Sequence, residues 1–159
     1  MKTCLLLMMT VGVGAAGTAS AQASARTPEK QHVNPPGLQT PTGYTHVVAA
    51  SGGKTVYVAG QVALNATGNV VGKGDLGAQA RQVFANLRTA LSAAGATPAD
   101  LVKITWYVVG YKPDMLPALR EARTAFLGEA KSPASTLVGV AALAREDFLV
   151  EVEAIAVVP

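Results

Sequence analysis

Cysteine, histidine and aromatic residues are scarce in this chain, and each scarcity removes a class of chemistry. One cysteine, Cys4, and two histidines occur among 159 residues, and aromatics make up 5%. Two histidines do not make a metal site, and His32 falls in a polar stretch where a solvated imidazole is the ordinary case. Charged residues are 14% of the chain, with a formal net charge of +3. The basic residues are scattered, and no run interleaves them with aromatics, so nucleic acid is not the expected partner. A metal site is not expected.

The apolar fraction of 50% is inflated by the N-terminus. Lys2 supplies a positive n-region, Leu5–Gly17 an apolar core, and Ala19-Ser20-Ala21 and Ala21-Gln22-Ala23 two small-x-small cleavage sites. The apolar run is short for a membrane span, and Gly12, Gly14 and Gly17 disfavour a buried helix. Residues 1–23 are therefore expected to be a signal peptide. The protein would be exported to the periplasm or secreted, with no membrane attachment after cleavage. Cleavage removes Cys4, leaving no disulfide, thiol nucleophile or thiolate ligand. About 136 residues remain, a domain that buries about two thirds of its unfolded surface without cross-links.

Residues 24–42 carry Pro28, Pro35, Pro36 and Pro41 without any period and read as an extended leader to a domain at 43–159. Thr45–Ala50, the turn Ser51-Gly52-Gly53 and Thr55–Gln61 predict a β-hairpin. Asp75 caps a predicted helix over Leu76–Ala94, whose apolar stripe includes Val83, Phe84, Leu87 and Leu91; Gly95 stops it. Leu101–Val109 is a strand rich in β-branched and aromatic residues. A second helix spans Asp114–Gly128, with Pro117 tolerated in its first turn. Two strands close the chain, Ser135–Val140 and Phe148–Val158.

The last strand alternates Val150, Val152, Ala154 and Ala156 with Glu151, Glu153 and Ile155, so it has two different faces. The order predicts an α+β domain with a mixed sheet and both helices on one face. Val56, Val58, Ile104, Trp106 and Val108 are then expected to leave the other face too apolar for water, which a symmetric oligomer would close.

The runs VYVAGQ, AQARQVFANLRTALSAAG, SPAS and LVEVEAIAV together resemble the RidA (YjgF) family, over about Tyr44 to Val158. The resemblance implies a chorismate-mutase-like fold and a homotrimer with ligand clefts between subunits. It also implies hydrolysis of reactive 2-imino or enamine acids to 2-oxo acids and ammonia. That chemistry needs a cation for the substrate carboxylate, a positioned water near the C=N carbon, and shelter from side reactions, and the resemblance implies neither a metal nor an organic cofactor. Carried over by motif, the site comprises Tyr44, Gly60 and the carboxylate Glu151 as the catalytic group. Ser135 stands where the family's P-A-R-S motif has its carboxylate-binding arginine, Ala59 where serine is usual, and Leu137 where cysteine is common. An Arg–carboxylate pair is worth about 1.5–3 kcal/mol, so its loss weakens acid recognition unless the charge is supplied elsewhere. Arg120 on the second helix is the candidate replacement, with Arg123 one turn on as its surface neighbour. The expected activity is imine or related C=N hydrolysis on a small molecule; the alternative is a non-catalytic protein of the same fold that binds a metabolite or a protein partner.

Overall fold

The computed structural model describes residues 27–159. The expected signal peptide, its expected cleavage sites and Cys4 lie outside the described residues. Among those described, no helix is long and apolar enough to cross a membrane.

Six strands and two helices follow in the order β1 (Glu29–Val33), β2 (Val47–Ser51), β3 (Lys54–Gln61), α1 (Leu76–Ala93), β4 (Leu101–Val109), α2 (Leu116–Leu127), β5 (Ala134–Val140) and β6 (Val150–Val158). The main sheet runs β3-β6-β4-β5. β6 is antiparallel to both β3 and β4, and β4 and β5, joined through α2, are parallel. The result is a mixed sheet of the expected α+β class. β4 separates the two closing strands, which are consecutive in sequence.

Asp75 caps α1 through a side-chain bond from the Ala78 N–H, and Gly95 follows at φ 75°, as the stop signal predicts. α1 buries Val83, Phe84, Leu87 and Leu91, and α2 buries Leu119, Ala122, Phe126 and Leu127. Phe84 stacks on Phe126 at 4.7 Å and meets Trp106 edge-on at 5.0 Å, so one aromatic cluster ties both helices to β4.

Three expectations change. The segment read as an aperiodic leader contains β1, which pairs antiparallel with β2 and is pinned by Lys30 Nζ to Asp100 at 3.1 Å. The glycine turn forms, with Gly52 and Gly53 at φ 72° and 64°, yet β2 and β3 fall in different sheets. The reason lies in their patterning. β3 alternates and sets Val56 and Val58 beside Ala156 and Ala154 of β6, whereas Val47-Val48-Ala49-Ala50 offers no distinct face and stays largely exposed.

The third change concerns the uncovered face. Val56, Val58, Ile104, Trp106 and Val108 all pack into the helix-covered core. The opposite parity faces outward and is amphipathic: Tyr57, Lys103, Thr105, Tyr107, Glu151, Glu153 and Ile155. Tyr57 is 78% exposed. Tyr107 Oη donates to Glu153 Oε1 at 3.1 Å, which raises the phenol pKa, and Lys103 Nζ bonds Thr136 Oγ1. Burial lowers the Lys103 pKa, against the opposing pull of Glu153. An oligomer closing this face would join paired polar groups as well as apolar surface.

Candidate functional site

The segment before β2 is stitched to the start of β5. Thr45 donates from its N–H to Pro133 O at 3.0 Å and from Oγ1 to Ser132 O at 2.6 Å, and Thr45 bridges Ala134 in parallel register. This carries Tyr44, next in the chain, to the side of Ser135. Ser135 pairs with Ile104 and so points toward the helices. There Trp106 Nε1 donates to Ser135 Oγ at 3.2 Å.

α2 roofs this edge of the sheet without sealing it. A pocket of about 260 Å³ opens between them, and Tyr44, Ser135 and Arg120 all line it. Trp106 and Tyr111 form part of its walls, and Leu119 is on the helix side. Arg120 Nη2 donates to Thr42 Oγ1 at 3.2 Å. The pocket thus unites the residue at the position of the family's arginine with the cation expected to replace it.

Arg123 lines the same pocket, which corrects its assignment as a surface neighbour outside the site. Its guanidinium occupies space that only a glycine leaves free. A Cβ on Gly43, which sits at φ 82°, would fall 1.9 Å from Arg123 Nη2. Burial, and then the like charge of Arg120, lower the Arg123 pKa. The i, i+3 spacing of Arg120 and Arg123 put them on one helical face, a signal present in the sequence. The position of Gly43 beneath a side chain 80 residues away was not.

Gly60 and Glu151 form a second, separate half. β3 and β6 slip register between Val58 and Gln61, and at this bulge Gly60 lies against Glu151. A Cβ on Gly60 would come 1.7 Å from Glu151 Oε1, so the carboxylate occupies the space where a side chain would be. Bulges beside functional groups commonly aim a side chain in this way. Ala59 precedes Gly60 in the same strand. Glu151 pairs with Tyr107 on the uncovered face, whereas Ser135 faces the helices and the arginines lie on α2. Their strands are two spacings apart, roughly 10 Å laterally, and the two groups are further separated by a three-residue offset along β4 and by lying on opposite faces of the sheet. A single chain therefore brings together Tyr44, Arg120 and Ser135, and separately Gly60 and Glu151. Among the described residues, no group of three or more His, Cys, Asp or Glu could hold a metal ion.

The family model described as Endoribonuclease L-PSP matches residues 37–158. A 2-iminobutanoate/2-iminopropanoate deaminase of Dermatophagoides farinae is 32% identical over 106 residues, covering 67% of this chain and 80% of the relative. A RutC family protein of Pyrococcus horikoshii is 37% identical over 109 residues, covering 68% and 82%. Among solved structures, a conserved Rid family protein from Yersinia pestis superposes with a TM-score of 0.78 at 43% identity. That match covers 81% of this chain and 98% of the other.

Proposed function

The chain belongs to the RidA (YjgF) family, and on that premise we propose that it hydrolyses small imine or enamine acids. Arg120 and Arg123 hold the substrate carboxylate in the role of the absent arginine at position 135. The observation that carries this reading is the shared pocket: two guanidinium groups converge beside Ser135 and Tyr44. Among the described residues neither has a carboxylate within ion-pair distance. A planar guanidinium can grip a carboxylate through two parallel N–H bonds.

Glu151 is the water-activating group. It takes a proton from water as the oxygen bonds to the carbon of the protonated imine, giving a neutral carbinolamine. Return of that proton to nitrogen makes ammonia the leaving group, and Glu151 takes the hydroxyl proton as the C–N bond breaks and the C=O bond of the 2-oxo acid forms. Because the two halves are apart within one chain, the reading requires a second copy to bring its Glu151 and Gly60 to the pocket, as in a homotrimer. The exposed Tyr57 and the amphipathic outer face are the surface available for that contact. The Endoribonuclease L-PSP description raises RNA cleavage, but cations gathered inside a pocket of about 260 Å³ suit a small acid better than a backbone-tracking groove would.

The test is ammonia release from oxidase-generated 2-imino acids. At least one of Arg120→Gln and Arg123→Gln is expected to lower kcat/KM on monocarboxylic 2-imino acids about tenfold or more, the cost of a charge-assisted pair. Arg81→Gln, on α1 and outside the pocket, leaves it unchanged. Equal rates in all three variants would remove the arginines from substrate binding. No turnover in the parent, with acid binding intact, would favour the non-catalytic binding protein, a reading supported by the separation of Glu151 from the pocket within one chain. Export is part of the proposal: intact mass from the native host should show a chain starting at Gln22 or Ser24, and a retained Met1–Ala21 would refute it.

A further inference from the structure

The pocket contains more positive charge than one carboxylate can balance. Arg120 and Arg123 each offer five N–H donors. Among the described residues, the only hydrogen bond from either side chain is that of Arg120 to Thr42. Their positions on one face of α2 separate the Cβ atoms by about 5–6 Å. Arg123 is half-buried, and Gly43 leaves the gap that its guanidinium fills. A monocarboxylate gripped by the exposed Arg120 leaves the half-buried Arg123 unpaired, which is costly, and one gripped by Arg123 leaves Arg120 free for a second anion. A ligand with two negative charges at matching separation satisfies both. Four- and five-carbon diacids place their carboxyl carbons about 4–5 Å apart, by ordinary C–C bond lengths, and a pocket of about 260 Å³ has room for them.

We propose that this pocket selects short dicarboxylic acids, of the 2-oxo or 2-imino diacid class, over monocarboxylic acids of the same length. The proposal rests on the reading of the pocket as the acid-binding end of the site, and deepens it by fixing the charge of the ligand. Arg120 and Arg123 are then specificity-determining, one for each carboxylate. Trp106, Tyr111 and Leu119 flank the carbon chain.

Calorimetric titration of the purified protein with 2-oxoglutarate and with 2-oxopentanoate, which differ by the terminal carboxylate, tests it. At low ionic strength 2-oxoglutarate is expected to bind at least tenfold more tightly. One of Arg120→Gln and Arg123→Gln should bring 2-oxoglutarate down to the level of 2-oxopentanoate while changing 2-oxopentanoate less than threefold. The corresponding lysine variant should recover part of the preference, which separates lost charge from lost folding. Equal affinity for the two acids, weakened together by either variant, would overturn diacid selection and leave the acid-binding pocket standing. Binding of neither acid, or binding of both unaffected by either variant, would overturn the pocket's role as well.

Discussion

Gln79→Leu is expected to lower unfolding free energy by about 2–6 kcal/mol, from two backbone groups, Asp147 O and the Leu149 N–H, left unpaired at about 1–3 kcal/mol each, while Gly72 O keeps its bond from the Asp75 N–H. Gln79 has no exposed surface and ties the β5–β6 connection to α1. Its Nε2 donates to Asp147 O at 2.7 Å and Gly72 O at 3.3 Å, and its Oε1 accepts from the Leu149 N–H at 2.9 Å. Leucine fills a similar volume and can meet none of these groups. For a domain with a total stability of about 5–15 kcal/mol, a loss of this size is a large fraction of the whole. Urea denaturation measures it; a loss below about 1 kcal/mol would show that water replaces the amide at no cost. Asn86, two turns further along the same face of α1, donates to Val62 O and Leu64 O at 2.9 and 2.8 Å.

Gly60→Ala is expected to abolish most imine hydrolysis, by about a hundredfold or more, with little loss of stability. The added methyl would collide with the end of the Glu151 side chain, 1.7 Å from Oε1 and 2.6 Å from Cδ. Glu151 is free to swing aside, since the atoms met belong to a flexible chain and Gly60 is not held at a positive φ. The sheet therefore survives while the carboxylate leaves its position, and misplacing a general base forfeits its roughly 10²–10⁴-fold contribution. Paired measurements of kcat/KM and thermal midpoint distinguish the outcomes. A variant as active as the parent would mean that Glu151 does not activate the water. A variant that fails to fold would mean that Gly60 serves packing alone.

The periodic elements were legible because their patterns are local. β4 was read at its observed bounds, and Asp75 and Gly95 bracket α1 as capping chemistry requires. The pairing of β2 was not legible, because its partner β1 lies in a proline-bearing segment with no strand pattern. The direction of alternation in β4 could be read, but which parity met the helices could not. Trp106 and Ile104 therefore turned out to belong to the covered core, and Lys103, Thr105 and Tyr107 to the open face. Gln79 and Asn86 stand out in the sequence as motif residues, yet both clamp backbone carbonyls within the fold. Arg120 was legible as a candidate. Arg123 was not legible as a pocket residue, because its access to the pocket depends on the space above Gly43, a contact between residues far apart in the chain.

The most direct test of the central claim, that Arg120 and Arg123 hold the acid in place of an arginine at position 135, is a crystal structure with 2-oxobutanoate, a stable product. The carboxylate is predicted to lie within hydrogen-bond distance of Arg120 or Arg123, beside Ser135 and Tyr44, with Glu151 of a neighbouring copy facing the 2-oxo carbon in a three-fold assembly. A carboxylate bound away from both arginines, or a pocket that no neighbouring Glu151 reaches, would contradict it.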